Sequence, residues 1–308
     1  MPPASIESRA LGAYLGLALG DALGATVEFM MPREIQAEYG VHSQIRGGGW
    51  LHLKPGQVTD DTTMALALGQ ALLSAGALDA TAMAEAFSDW LRAKPVDVGH
   101  TVRRGIVHYR NTGHTQMPYS DNDAGNGACM RVLPVALATL EADTAFVRHA
   151  CQVQAHITHH HALSDAACET VSLMVQASLR GLNDINTLLG MAQKLVALHP
   201  EFNFRRRRSD NPSGYIVHTL QTVFQGLFDT ESFEQCLIEV VNRGGDADTT
   251  GAIAGMIAGA FYGLEGIPGA WLKKLDPRIR AEIERQTPAL LMLNLQSAEL
   301  YPASQDTD

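Results

Sequence analysis

Two clusters of carboxylates and hydroxyls lie far apart in this chain, and each opens an apolar run: Thr59-Asp60-Asp61-Thr62, and Asp246-Ala247-Asp248-Thr249-Thr250 directly after Gly244-Gly245. The Ala-, Leu- and Gly-rich runs that follow read as helices, so both clusters gather at helix N-termini. One Asp or Thr there caps free backbone N–H groups and suits the positive end of the helix dipole. A cap needs a single side chain, and each cluster supplies several. If the fold joins the two helix starts, Asp60, Asp61, Asp246 and Asp248 make a four-carboxylate pocket, with Thr59 and Thr249 as further oxygen donors. Two like charges about 5 Å apart repel by roughly 3 kcal/mol at an effective dielectric near 20, so such a pocket calls for cations. Two divalent ions would balance the four charges. Oxygen-only ligation selects hard ions, Mg²⁺ or Mn²⁺, because zinc recruits His or Cys, and neither cluster contains either residue.

The rest of the chain reads as all-α. Apolar spacing near 3.6 residues and cap signals predict helices over 7–23, 61–75, 80–93, 99–112, 127–140, 144–156, 162–180, 184–198, 214–228, 231–242, 248–263 and 277–294, with no strand pattern. No linker or composition break separates the two acidic clusters, which predicts one domain over 1–295 and a disordered polar tail over 296–308. Leu11 to Val27 is the most membrane-like stretch, yet it is short, carries Asp21 and is dotted with Gly12, Gly16, Gly20 and Gly24. Glycines four apart place small residues on one stripe of a buried helix, where a second helix can approach closely. A net charge of -10 argues against a nucleic-acid partner held through its phosphates. Cys129, Cys151, Cys168 and Cys236 show no C-x-x-C pairing and read as reduced, buried thiols of a cytoplasmic protein. Met1 to Ala10 lacks the pattern of a secretory signal.

Loops carry the remaining signals. Gly125-Asn126-Gly127 reads as a turn that opens a helix, where free N–H groups could receive an anion, although an ordinary turn and cap has the same pattern. His156, His159, His160 and His161 straddle a turn, so His159 is expected in a structural or substrate-contacting role rather than as a metal ligand. Arg205 to Arg208 form either a solvated loop or a docking patch.

Five motifs together resemble the ADP-ribosylglycohydrolases: Gly16-Leu17-Ala18-Leu19-Gly20-Asp21-Ala22-Leu23-Gly24 followed by Glu28; Thr59-Asp60-Asp61-Thr62; Gly125-Asn126-Gly127 with Met130-Arg131; Ile157-Thr158-His159; and Gly244-Gly245-Asp246-Ala247-Asp248-Thr249-Thr250-Gly251. The resemblance runs from Ala10 to about Leu293. Thr26 to Met30, Gly47 to Leu51, Leu53 to Thr59 and Pro95 to Gly99 bring it nearest to the branch of nitrogen-fixing bacteria that reactivates dinitrogenase reductase. It implies an all-α fold with a cleft over a binuclear manganese centre, Mg²⁺ being a possible substitute. Thr59, Asp60 and Asp61 would ligate from one side, and Asp246, Asp248 and Thr249 from the other. It also implies hydrolysis of the bond between ADP-ribose and an arginine nitrogen of dinitrogenase reductase. A PII-type signalling protein is implied as a second partner, able to hold a cytoplasmic enzyme at the membrane without any direct insertion.

Within that frame Glu28 is the first candidate to activate the nucleophile and Asp97 the second, with Gly125, Asn126, Gly127 and His159 placed for substrate. His100 departs from the Asn expected of the bacterial relatives; as a substrate contact it would be bulkier and pH-sensitive. Three other readings compete: a two-metal phosphohydrolase cutting the pyrophosphate, a catalytically silent ADP-ribose binder, and a hydrolase acting on serine or another acceptor.

Overall fold

A computed structural model describes residues 4–182 and 184–296. Its helices are α1 (Ile6–Gly24), α2 (Pro32–Tyr39), α3 (Asp60–Ala75), α4 (Ala80–Arg92), α5 (His100–Thr112), α6 (Leu133–Ala138) and α7 (Thr144–His156). They continue with α8 (Ala162–Leu179), α9 (Ile185–Leu198), α10 (Ile216–Asp229), α11 (Phe233–Val241), α12 (Ala247–Tyr262), α13 (Gly269–Leu272) and α14 (Pro277–Leu293). Among the described residues β-structure is limited to two isolated bridges, Gly48 with Leu53 and Gly125 with Tyr215. The fold is all-α, as the periodicity predicts. The segment read as a tail, 296–308, lies outside the described residues apart from Gln296.

The centre of the fold is the antiparallel pair α1 and α12, each buried on nearly all sides. Their contact explains the glycine stripe. A methyl group at Gly12, Gly16, Gly20 or Gly24 would lie 2.5, 2.2, 2.0 and 2.1 Å from the carbonyl oxygens of Gly259, Gly255, Gly251 and Ala247 in turn. The partner stripe, Gly251, Gly255 and Gly259, has the same four-residue spacing, so the two backbones touch directly. This packing sets the last turn of α1, which carries Asp21, and Glu28 just past its end, beside the start of α12, with Asp246 and Asp248. Gly20→Ala forces the pair apart and is expected to cost about 1–3 kcal/mol or more, as overpacking does. An unchanged melting temperature would mean that the pair can separate without loss.

Three elements differ from expectation, one of them the four-residue α13, too short to show an apolar period. The helix predicted over 127–140 is regular only from Leu133 to Ala138, because Pro134 has no N–H to donate and belongs in a first turn; residues 127–131 form a chain of turns. Conversely, α2 carries the signals of a helix start, Pro32 at its first position and Glu34 accepting from the Met31 N–H at 2.7 Å, but buries only Ile35 and so shows no apolar period. The four cysteines are buried and unpaired. No helix among the described residues is long and apolar enough to cross a membrane.

Candidate active site

A cleft of about 400 Å³ opens where α1, α3, α5 and α12 meet, walled by Glu28, Asp60, Asp97, Asp246, Asp248 and Thr249 on the acidic side. The far wall holds Gly125, Asn126, Gly127 and His159, and His100 stands at the rim, exposed. The two acidic clusters do meet. Thr59 and Thr249, from opposite clusters, both place a hydroxyl 3.3 Å from Asp61 Oδ2. Thr59 and Asp61 lie buried behind the cleft surface.

Asp21 is the residue that sequence reasoning undervalued, reading it as a charge that interrupts an apolar stretch and as a member of the Gly16 to Gly24 motif, with no role of its own. It is fully buried, and its carboxylate accepts from the backbone N–H groups of Thr59 and Thr62 at 3.0 and 3.2 Å and from both their hydroxyls. One α1 carboxylate thereby caps α3 in place of a local cap and fixes the direction of Asp60 and Asp61. The signal was an Asp in a helix with no polar face.

Glu28 comes closer to the acidic cluster than its isolated position in sequence suggests. Carboxylate oxygens of Glu28, Asp246 and Asp248 lie within 4.8 Å of one another. Its Oε2 accepts from the indole N–H of Trp50 at 2.6 Å. Burial, then the neighbouring Asp246, Asp97 and Asp60 charges, push the Glu28 carboxyl up to about 8 against that hydrogen bond. Asp60 is raised to about 7 by burial and by Asp97 and Asp21. Burial also lifts Asp61, Asp246 and Asp248. No Lys or Arg stands among the cleft-lining residues, and Asp61 Oδ1 is buried without any hydrogen-bond partner. A hard, oxygen-only donor set with an orphaned buried oxygen fits divalent cations.

The opposite wall corrects one expectation. Gly125 to Gly127 do not open a helix, so no helix dipole serves an anion there. The turn is held instead by Asn126, which donates its side-chain N–H to Asp246 Oδ2 at 2.6 Å and to Thr219 Oγ1 at 3.0 Å, and its backbone N–H to Gly214 O. The glycines are required by His159: a methyl group at Gly125 or Gly127 would lie 2.9 or 2.8 Å from its ring. Below, the buried Arg131 guanidinium lies over the Phe87 ring and donates to Gln154 and to Thr158 Oγ1 at 2.8 Å. The Thr158 hydroxyl also bonds His159 Nδ1, 2.8 Å away, and fixes the plane of the ring. Burial and the Arg131 and Arg104 charges hold His159 well below the usual histidine range, so it is neutral.

His156 and His160 are not a metal pair. Their ring centroids lie 3.9 Å apart at a 30° tilt, His156 bonds Asp165 and His160 bonds the Met117 carbonyl. The arginine run lies outside the cleft; Arg206 to Arg208 line a separate cavity of about 610 Å³. Arg205 pairs with Asp229, and Arg208 with Asp210 and Glu239.

Fold and site together define a helical domain with a candidate divalent-cation site at the base of a cleft. The chain belongs to the ADP-ribosylglycohydrolase family, whose sequence model matches residues 2–301. It is 54% identical over 289 residues, 94% of this chain and 97% of the relative, to the ADP-ribosyl-[dinitrogen reductase] glycohydrolase of Rhodospirillum rubrum. It is 31% identical to the ADP-ribosylarginine hydrolase Tri1 of Serratia proteamaculans, across 89% of this chain and 77% of that protein. A solved structure titled as an ADP-ribosylglycohydrolase-related protein complex superposes with a TM-score of 0.84 at 33% identity, covering 94% of this chain and 99% of its own.

Proposed function

We propose that this protein is a hydrolase that removes ADP-ribose from an arginine side chain, with dinitrogenase reductase as its target and two Mn²⁺ ions, replaceable by Mg²⁺, as cofactors. The observation that carries the reading is 54% identity along 94% of the chain to a glycohydrolase acting on that target. The acidic cluster at one end of the cleft supports the metal part of it. Asp60, Asp61, Asp246 and Asp248, with Thr59 and Thr249, would hold the ions. When bound, divalent cations supply positive charge that neutralises the cluster and fixes hard oxygens of a substrate such as a ribose diol.

The chain's own residues then divide the work. The turn at Gly125 to Gly127 and the neutral imidazole of His159 form a wall against which the pyrophosphate lies. Cleavage at the anomeric carbon builds oxocarbenium-like positive charge, which the carboxylates around it favour. Glu28, ionised once cations sit beside it, takes a proton from the attacking water. The new C–O bond replaces the C–N bond, and Asp97, at the cleft wall, relays the proton taken up by Glu28 to the departing arginine nitrogen. His100 at the rim contacts the modified protein or the sugar.

The competing phosphohydrolase reading differs in product. Manganese-dependent release of intact ADP-ribose from an arginine-modified protein, with little from a serine-modified control, is the expected result. AMP plus ribose phosphate, or release from serine alone, would overturn it. A cytoplasmic location, a PII-type partner and recruitment to a membrane through it rest on the family resemblance. Binding of purified PII protein without lipid tests them.

A further inference from the structure

Phe29 combines a left-handed backbone with an exposed aromatic ring. Its backbone sits at φ 63°, in the left-handed region that a bulky side chain rarely adopts, and its side chain is 64% exposed. Glycine or asparagine would fit this turn at lower cost. The conformation is imposed from both sides. Phe29 N–H donates to Gly245 O at 2.7 Å and Gly245 N–H to Met30 O at 3.0 Å, which ties the residue to the turn that carries Asp246. The turn explains the backbone but not the ring.

The ring has a partner. Phe29 and Trp50 lie 5.5 Å apart at a 42° tilt, both line the cleft, and Trp50 is half exposed. Trp50 is brought there by Gly47, Gly48 and Gly49, all in the left-handed region; a methyl group at Gly49 would lie 2.3 Å from Ala25 O. Its indole N–H is the donor that holds Glu28 Oε2. An open aromatic corner therefore stands directly beside the Glu28 carboxyl in the cleft.

We infer that the Phe29 and Trp50 rings form the subsite for the guanidinium group of the arginine being released. A guanidinium is planar, cationic and weakly hydrated, and stacks on aromatic faces where an ammonium or a hydroxyl gains far less. The subsite rests on the arginine-directed reading above, and it makes the acceptor side of the cleft selective. It also accounts for the strain, since a smaller residue would leave the guanidinium against water.

The test uses ADP-ribosyl-arginine as substrate and free ADP-ribose as ligand, with Phe29→Leu keeping apolar bulk and Phe29→Tyr keeping the ring. Phe29→Leu is expected to raise KM by about 3- to 30-fold with kcat moved less, the range of a cation–π contact, while the Kd for ADP-ribose stays within about twofold and Phe29→Tyr behaves as wild type. Wild-type kinetics in Phe29→Leu would overturn the assignment, and so would an equal weakening of ADP-ribose binding, which would place the rings on the nucleotide. Wild-type protein that cleaves another ADP-ribosyl linkage but not this one would remove the arginine reading itself, and the subsite with it.

Discussion

Glu28→Gln lowers kcat by about 10²- to 10⁴-fold while leaving ADP-ribose affinity and manganese content near those of the wild type, the range found when a positioned acid–base group is removed. Glutamine keeps an oxygen toward Trp50 Nε1, so the loop around Glu28 keeps its anchor. What is lost is the ability to take a proton. The carboxyl is poised for that exchange: burial and three acidic neighbours push it up to about 8 without ions, and cations beside it pull it back toward ionisation at neutral pH. Single-turnover rates, metal analysis and ADP-ribose titration on one preparation decide it. Near-normal kcat would leave Asp97 as the base. Loss of bound manganese would make Glu28 a ligand, a role its position within 4.8 Å of Asp246 and Asp248 makes geometrically open.

Much of this site is legible in the chain because its parts are local. Asp and Thr before an Ala-rich run announce a helix start wherever they occur, and both acidic clusters do so. Their meeting is less local, yet its cause is also written in sequence: Gly12, Gly16, Gly20 and Gly24 need a partner with small residues at the same spacing, and Gly251, Gly255 and Gly259 supply it. What could not be read depends on contacts between elements. Asp21 looks like an interruption of α1 until α3 lies across it. The Gly125 to Gly127 turn looks like a helix start, whereas its glycines are there to clear the His159 ring, thirty-odd residues downstream. Glu28 looks isolated until the α1 and α12 packing sets it beside Asp246 and Asp248. The short helix α2 escapes because one buried residue makes no period.

Stripping divalent cations lowers the melting temperature, and the loss deepens as pH rises. In the stripped protein burial is the main cause that raises Asp21 from 3.8 to about 6, Asp60 from 3.8 to about 7 and Glu28 from 4.5 to about 8. Between about pH 4 and pH 8 the folded chain therefore holds protons that the unfolded chain has released. Unfolding then sheds protons, so stability falls with rising pH through that window and is least above it, where the folded cluster is ionised and uncompensated. Bound cations reverse the balance, because they favour the ionised cluster and act on the folded state alone; saturation at a thousand times Kd adds about 4 kcal/mol for one site. Asp60→Asn separates the two regimes. At pH 8 in chelator it melts above the wild type, having lost a buried charge, and in Mn²⁺ it melts below, having lost a ligand. Thermal melts at pH 5 and pH 8, with chelator and with Mn²⁺, read all four conditions. Coincident wild-type melts with and without Mn²⁺ at pH 8 would mean that the carboxylates of α3 and α12 do not share a cation site.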